Sequence, residues 1–122
     1  TVTDRAKEVL GNVARVINDK TEIEFMVEGH TDNVPVKKDS DVLIDNWDLS
    51  VKRATAVVRV LQNDFLVDPS RMTAAGRSYY VPIDDNETWT GRAKNRRTRI
   101  VVLPKLDQFF DLLEQGMEAA SN

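Results

Sequence analysis

The 122-residue sequence contains no cysteine and a single histidine, and these absences remove several classes of function. Without thiols the chain forms no disulfide, no iron–sulfur cluster, no thiolate zinc site and no cysteine nucleophile. A single histidine also limits metal binding and acid–base chemistry. No run of about 18 apolar residues and no basic-then-apolar leader is present. We therefore expect neither a transmembrane span nor a secretion signal in this stretch, which starts at Thr1 and has the character of a fragment.

The composition is typical of one globular domain. A chain of this length buries about 65% of its unfolded surface, enough for one core without disulfides or a structural metal. The formal charge is 17 − 20 = −3, although residues 91–99 hold five of the 17 basic residues. The acidic balance, and the lack of aromatic residues among these arginines, argue against nucleic-acid binding. A solvated edge or an acidic ligand is the better interpretation of this basic segment.

Hydrophobic periodicity predicts two helices with a strand between them. Apolar residues at spacings of three and four predict a helix over Thr3–Asn18, and the same pattern returns over Trp47–Asn63, where Asp45 or Asn46 would be the cap. Between the helices, Glu22–Gly29 alternates, with Phe25 on the apolar face and Glu28 on the polar one. The sequence thus begins as helix, strand, helix.

The second half predicts two strands and a last helix. Met72–Gly76 has the weaker strand pattern, whereas Thr98–Leu103 ends in an apolar, β-branched run typical of a covered central or parallel strand. Residues 30–46 and 79–91 are expected to be loops. The C-terminal apolar residues recur at helical spacing: Leu106, Phe109, Phe110, Leu113 and Met117. We predict an α+β two-layer sandwich, a small mixed sheet with helices on one face, over residues 1–103, followed by an amphipathic helical extension over residues 104–122.

Arg53 is the first candidate for a functional role. It falls within an otherwise apolar stripe of the second helix, so its guanidinium needs a partner or must reach water past the edge of the stripe. Asp32 directly follows a strand end, where ligands often bind in α/β sheets. The two residues could form an internal salt bridge. If both face a groove instead, they match a zwitterion that carries an ammonium and a carboxylate.

Catalysis and metal binding have weaker support. His30 and Asp32 could form an acid–base or metal pair, and a hydrolase using them is one alternative, but no second histidine or thiol is available. The simpler role of His30 is to shape its loop. The acidic run over residues 39–45 lacks the glycine of an EF-hand, so calcium is not expected there either. We predict a binding protein without metal or cofactor.

Several motifs in order resemble one known family. Gly29-His30-Thr31-Asp32-Asn33 with Pro35 is followed by Asn46-Trp47-Asp48-Leu49-Ser50 with Arg53-Ala54, and later by Gly76, Pro82 and Gly91-Arg92 with Asn95-Arg96-Arg97. Their order and spacing resemble the OmpA-like peptidoglycan-binding domain across residues 23–103. The first two motifs are more similar to the flagellar stator branch, MotB, than to the porin branch. Four motifs in order are far more specific than any one alone.

The resemblance implies noncovalent binding of peptidoglycan, without catalysis. Asp32 would take the ammonium and Arg53 the carboxylate of diaminopimelate in the stem peptide. Other matching positions would line or support the groove: Thr31, Asn33, Asn46, Leu49, Arg96 and Arg97. Gly29 and His30 would shape the loop. A periplasmic location follows, in a parent protein anchored in the inner or outer membrane through segments outside this stretch.

The sequence departs from the family pattern at its start and in two loops. The family domain opens with a strand, and none precedes the first helix here, so we expect an exposed sheet edge that could form a homodimer. Ser78 stands where a second glycine is frequent, and residues 33–45 carry an insertion. An alternative function follows, in which the C-terminal helix and the exposed edge bind a partner.

Overall fold

The computed structural model describes residues 2–37, 45–103 and 106–121, except for the side chains of residues 106–110, 119 and 121. Within these residues the helices are α1 (Asp4–Asp19), α2 (Asn46–Phe65), α3 (Trp89–Asn95) and α4 (Leu106–Ser121). The strands are β1 (Glu24–Gly29), β2 (Met72–Gly76) and β3 (Thr98–Leu103), and a 3-10 turn at Pro69–Arg71 precedes β2. None of the described helices combines the length and the apolar character needed to cross a membrane.

The three strands form one mixed sheet in the order β2-β1-β3. β1 runs parallel to β2 and antiparallel to β3, and its last residue, Gly29, is in register with Gly76 and Thr98. The predicted α+β class with a small mixed sheet is therefore confirmed. The carboxyl ends of β1 and β2 meet the start of β3 at one end of the sheet.

The position of β3 in the sheet corrects the sequence-based expectation. Among the described strands it pairs only with β1, so it is an antiparallel edge strand and not a covered central one. Val102 is 62% exposed. Ile100 and Val102 line an open cavity together with Val13 and Ile17 of α1. An exposed sheet edge was expected from the sequence, and β3 provides one.

Capping and core packing place the two long helices on one face of the sheet. Thr3 caps α1 by accepting a hydrogen bond from the amide of Ala6 (3.1 Å), and Asp45 caps α2 in the same way from Asp48 (3.1 Å). Both helices bury small and aliphatic side chains against β1. The core consists of Leu10, Ala14, Phe25, Val27, Ala54, Val57, Leu61 and Val67.

One helix was not predicted from the sequence, and another is confirmed. α3 lies at the end of the predicted loop and was not predicted, because a seven-residue helix that begins at Thr88–Trp89 has no apolar periodicity to detect. The C-terminal helix is confirmed as α4, and its Leu112, Leu113 and Met117 are exposed. Residues 38–44 of the predicted insertion lie outside the described residues, and the boundary at residue 103 stays a prediction.

Candidate ligand-binding site

The candidate site is built at the end of the sheet where β1 and β2 stop. The chain beyond β1 stays attached to its neighbours, since the amide of His30 donates to the carbonyl of Arg97 and that of Thr31 to the carbonyl of Ser78, both at 2.9 Å. Thr31 and Asp32 are consequently buried although they lie outside the strand. The first residues of the predicted binding loop are therefore held rigidly by the sheet.

A close approach of α2 brings its N-terminal half to the same place. A Cβ atom on Gly29 would lie 1.9 Å from the carbonyl oxygen of Ser50, and one on Gly76 would lie 2.3 Å from the Ser50 hydroxyl oxygen. The Ser50 hydroxyl donates to the carbonyl of Trp47 (2.8 Å) and accepts from the amide of Ser78 (3.0 Å). Only glycine leaves enough room for this helix to touch the strand ends.

Asp32 is a nearly buried carboxylate with two partners. Its Oδ1 accepts from the amide of Val34 (3.0 Å), and its Oδ2 accepts from Nη1 of Arg96 (2.8 Å). The Asp32 side chain is 11% exposed and that of Arg96 39% exposed. The guanidinium of Arg96 thus compensates the carboxylate, as burial of a charge requires, while this cationic partner can still reach water.

Arg53 has a different partner from the one that the sequence suggested. Its Nη1 donates to the carbonyl oxygen of His30 (2.6 Å), and Arg96, not Arg53, forms the ion pair with Asp32. Burial lowers the pKa of Arg53 from its ordinary value; nearby Arg96 lowers it further, and Asp32 opposes both. Arg53 therefore lies within the electrostatic reach of Asp32 without satisfying it.

The guanidinium groups open onto a cavity of about 460 Å³ between α2, the start of β3 and the N-terminal turn of α1. Four cationic residues line it, together with Thr3, Thr98 and five apolar residues that include Leu49; the cationic residues are Lys52, Arg53, Arg96 and Arg97. No acidic side chain is among the described residues that line it. Lys52 was not singled out from the sequence, although it is the direct neighbour of Arg53. This cationic cavity suits a carboxylate.

The remaining predicted residues divide between the cavity and the loop. Leu49, Arg96 and Arg97 line the cationic cavity, and Nη2 of Arg97 is also held by the carbonyl of Val81 at 3.0 Å. Thr31 is buried, and its hydroxyl donates to the carbonyl of Asp32 (2.9 Å). Thr31 therefore supports the loop.

Asn33 and Asn46 lie on the other side of Asp32. Both line a second cleft, and Nδ2 of Asn46 donates to the carbonyl of Val34 at 3.1 Å. Asp32 is not in the lining of either concavity, but it is linked to both. Asn33, the next residue, lines the second cleft, and Arg96, which binds Oδ2 of Asp32, lines the cationic cavity. The structure thus brings the predicted residues together around Asp32, in two neighbouring concavities.

Asn95, the first residue of the Asn95-Arg96-Arg97 motif, has a structural role. It is fully buried, its Oδ1 accepts from the amides of Ile83 (2.8 Å) and Asp84 (3.0 Å), and its Nδ2 donates to the carbonyl of Asp84 (2.9 Å) and to Asn86 Oδ1 (2.7 Å). The side chain therefore organises the loop before α3. Its neighbour Arg96 is left to face Asp32.

His30 is buried, and its side chain contacts Glu28. Nε2 of His30 lies 2.7 Å from Oε1 of Glu28, which the strand alternation had placed on a solvent face. Burial lowers the pKa of His30, Arg97 and Arg77 lower it further, and Glu28 partly opposes them. The neutral ring that results donates from Nε2, so Nδ1 is a buried acceptor without a partner among the described residues. This arrangement favours a loop-shaping role, and it pairs His30 with Glu28 instead of with Asp32, the partner that the hydrolase alternative named.

A metal site is also not found in the part of the chain that the structure describes. No group of three or more histidine, cysteine, aspartate or glutamate side chains there could hold a metal ion. The described side chains around Asp32 provide charge pairing and hydrogen bonding.

Comparison with known proteins identifies the family. The profile described as the OmpA family matches residues 1–96, more than half of the chain. The chain belongs to the OmpA family. This result confirms the resemblance that the ordered motifs indicated, and the MotB-like motifs agree with one of the relatives.

Two curated relatives and one solved structure are similar to this chain. The chain is 38% identical to Motility protein B of Bacillus subtilis over 81 residues, which cover 66% of this chain and 30% of that protein. It is 35% identical to outer membrane protein Omp38 of Acinetobacter baumannii over 120 residues, or 98% of this chain and 31% of that protein. The cell wall anchor of the T6SS from Pseudomonas aeruginosa superposes with a TM-score of 0.71 at 34% identity, covering 86% of this chain and 71% of that one. The chain thus spans about a third of the length of these curated relatives.

Proposed function

We propose that this domain binds peptidoglycan noncovalently, through the diaminopimelate residue of the stem peptide, and so anchors a parent protein to the bacterial cell wall. The observation that carries the proposal is the buried carboxylate of Asp32 beside a cavity lined by Arg53, Arg96 and Arg97. Membership of the OmpA family supports it, and so does the 34% identity to a protein described as a cell wall anchor.

The charges fit the free end of the diaminopimelate side chain, where one carbon carries both an ammonium and a carboxylate. In the proposal Asp32 accepts hydrogen bonds from the ammonium, and Arg53 donates to the carboxylate from the cationic cavity. Leu49 lines the same cavity and gives the aliphatic part of the ligand an apolar contact. Lysine at the same stem position would lack the carboxylate and leave Arg53 without its ligand partner.

Ligand binding requires a change at the Arg96–Asp32 pair. The ammonium must share or replace the contact between Arg96 Nη1 and Asp32 Oδ2. Arg96 is the more exposed partner of the pair, so it can turn toward the cavity and add a second guanidinium to the carboxylate. The ligand carboxylate then compensates Arg96 for the partner it gives up.

The proposed mechanism is binding without turnover. Two charged contacts of about 1.5–3 kcal/mol each give a free stem peptide a dissociation constant in the micromolar to millimolar range. A polymeric wall presents many copies of the ligand, so several linked domains would bind it far more strongly. Such binding suits an anchor, which holds one polymer and releases no product.

The proposed location is the periplasm of a diderm bacterium. The relatives include a motility protein and an outer membrane protein, both about three times longer than the stretch they share with this chain. We propose that the parent protein likewise has a membrane-associated part, in the inner or outer membrane. A motility protein and an outer-membrane protein are both compatible with the domain.

The direct test is an amide NMR titration with two soluble stem peptides, one containing diaminopimelate and one containing lysine. We expect saturable shifts around Asp32 and Arg53 with the diaminopimelate peptide and little change with the lysine peptide. Asp32→Asn and Arg53→Ala should each weaken binding by about 10- to 100-fold, the loss of one charged contact. The spectrum of each variant shows directly whether it is folded.

Matched controls separate the clamp from general charge effects. Arg59 is exposed on the same helix as Arg53, and Asp19 is an exposed aspartate at the end of α1. Arg59→Ala and Asp19→Asn should bind like the wild type. Equal affinity for both peptides, or wild-type binding by Arg53→Ala, would refute the proposed clamp.

A partner-binding function is the second candidate, and the exposure of Leu112, Leu113 and Met117 on α4 favours it. It predicts that removal of residues 105–122 abolishes function while Asp32→Asn preserves it. Sedimentation velocity on the full and shortened chains also tests whether α4 supports a homodimer. The anchor proposal predicts the opposite pattern, in which the shortened chain still binds the stem peptide.

A further inference from the structure

The cationic cavity carries more positive charge than the proposed clamp uses. Its cationic lining residues are Lys52, Arg53, Arg96 and Arg97. The clamp assigns two of them, Arg53 and Arg96, to the side-chain carboxylate of diaminopimelate. None of the described lining residues is acidic, so the other two cations are not balanced from within the cavity. A ligand with a second anionic group would therefore be favoured over a ligand with one.

Of the two remaining cations, Arg97 already has partners in the protein. Its Nη2 donates to the carbonyl of Val81 at 3.0 Å. Burial lowers the pKa of Arg97, whereas the nearby carboxylate of Glu28 raises it. The ammonium of Lys52, in contrast, forms no ion pair and no hydrogen bond with the residues that the structure describes. Lys52 is thus available to a second anionic group of the ligand.

The position of Lys52 places its charge beside the clamp. Lys52 and Arg53 are consecutive residues of α2, with Cα atoms about 3.8 Å apart, and both line the cavity. The flexible four-carbon stem of a lysine lets its ammonium reach several points of such a space. Leu49 and Val57 add apolar surface, and the volume of about 460 Å³ is in the range of small-molecule sites. The cavity therefore suits a short aliphatic chain with a charged group at each end.

Diaminopimelate has this shape when it is the last residue of a stem peptide. A short aliphatic chain joins its two carbon centres, and each centre carries a carboxyl group. The side-chain carboxylate is free in both kinds of stem. The α-carboxylate is free only when the stem ends at diaminopimelate, because a following residue converts it into a neutral amide. The two kinds of stem therefore differ by one negative charge at the end opposite the clamp.

We propose that Lys52 binds the free α-carboxylate of diaminopimelate, so that the domain prefers stem peptides that end at this residue to those that continue past it. The inference rests on the proposed diaminopimelate clamp and adds a preference for one form of the ligand. A peptidase that removes the residue after diaminopimelate is the class of reaction that would create the preferred end.

The test compares two synthetic tripeptide stems that end in diaminopimelate, with the α-carboxyl group as the free acid in one and as the primary amide in the other. Both keep the zwitterionic end of the side chain. In NMR titrations of the whole chain, the dissociation constant of the amide should be about threefold higher than that of the acid, as for one exposed ion pair. High salt should bring the two constants together, because it screens this pair.

Three variants assign the preference to a residue. Lys52→Gln removes the charge and should bring the ratio of the two dissociation constants close to one, whereas Lys52→Arg should restore it. Arg59 is exposed on the same helix and is outside the cavity lining, so Arg59→Gln should keep the threefold ratio.

The outcomes distinguish failure of this inference from failure of the clamp. Saturable binding of both peptides with equal constants would overturn the role of Lys52 and leave the clamp intact. A threefold ratio that persists in Lys52→Gln, or that is lost equally in Arg59→Gln, would overturn it as well. Absence of binding of both peptides by the folded wild type would overturn both proposals.

Discussion

At the scale of single residues, the ion pair between Asp32 and Arg96 compensates the one nearly buried carboxylate of the candidate site. Asp32 is almost buried and would be costly to leave without a partner, so Arg96 stabilises the loop while it occupies the proposed ammonium position. The pair therefore contributes to the fold and also competes with the ligand. A moderate stability contribution is expected, because the guanidinium is partly in water.

A double-mutant cycle measures that contribution. Urea unfolding of Asp32→Asn, Arg96→Ala and the double variant should give a coupling free energy of about 1 kcal/mol, since the pair is closer than an exposed ion pair yet partly screened by water. Arg99 is exposed on β3 and forms no described contact with Asp32. A control cycle of Asp32→Asn with Arg99→Ala should therefore give a coupling free energy near zero. Additive effects of Asp32→Asn and Arg96→Ala would contradict the role given to the pair.

His30 makes the stability of the domain sensitive to mild acid. Its folded pKa lies below the value of about 6.5 expected for the unfolded chain, chiefly because the ring is buried, so the unfolded state binds the proton more readily. The contribution of the neutral His30 to the free energy of unfolding should therefore be fully present above about pH 6.5 and be lost as the pH falls below that value. Arg97 and Arg77 disfavour the charged ring, whereas Glu28 favours it and does not reverse the sign.

Urea unfolding between pH 7.5 and pH 5.5 tests the role of His30. The free energy of unfolding should decrease toward acid, by at most about 1.4 kcal/mol per pH unit for one proton. In His30→Gln the free energy of unfolding should change less steeply with pH in this range, whatever the stability of that variant at pH 7.5. Asp68 and Asp84 have lowered pKa values and titrate in more acidic solution, outside this range. An unchanged slope in His30→Gln would assign the effect to other groups.

At the scale of elements, the contact between α2 and the strand ends places Arg53 and Leu49 opposite the loop that carries Asp32. The contact depends on Gly29 and Gly76, which leave no space for a side chain beside Ser50. The register of β1 with β2 and β3 brings these positions to one end of the sheet. The geometry of the candidate site is thus a consequence of how closely α2 can approach the sheet.

Gly29→Ala should destabilise the domain by about 3 kcal/mol, because the new methyl group would meet the backbone carbonyl of Ser50, which cannot move aside alone. Gly116 in α4 is the matched control, since a Cβ there meets nothing within 4 Å. Gly116→Ala should be neutral or slightly stabilising, as alanine is the better helix former. Thermal or urea unfolding of both variants makes the comparison, and a well-tolerated Gly29→Ala would refute the close-contact argument.

Most elements could be predicted because their patterns are long. α1 and α2 carry several turns of apolar periodicity and side-chain caps, and β1 alternates clearly. α3 is too short to show a period, and the position of β3 at the edge depends on strand pairing, which a local pattern cannot reveal. Glu28 was misassigned for a related reason: alternation gives the face of a strand but not the side chains that pack on that face, here the buried His30.

The sequence predicted which residues form the candidate site, but only some of the contacts between them. The motifs gave Asp32, Arg53 and Arg96 as candidates, but which guanidinium meets Asp32 depends on side-chain geometry over 64 residues of separation. The ring contacts of Trp47 with Tyr80 and of Tyr80 with Tyr79 were not predicted, because Trp47 is far from the two tyrosines in sequence. Adjacent tyrosines in a polar loop are a signal that could have pointed to them.

At the scale of the whole molecule, the charge is distributed in favour of an anionic ligand group. The chain has a net charge of −3, yet Lys52, Arg53, Arg96 and Arg97 line one cavity. Asp32 adds a single negative charge at the border of this cavity, which gives the site a local dipole that a zwitterion can match. Net charge alone would have suggested the opposite preference.

The central claim, that Asp32 and Arg53 recognise the cell wall through diaminopimelate, is tested most directly by co-sedimentation with purified wall material. Wild-type protein should pellet with walls whose stem peptides contain diaminopimelate and stay in solution with walls that contain lysine instead. A soluble diaminopimelate stem peptide should release it, and Asp32→Asn and Arg53→Ala should remain in the supernatant while Arg59→Ala pellets. Equal pelleting of the wild type and both site variants, or equal binding to the two kinds of wall, would contradict the account.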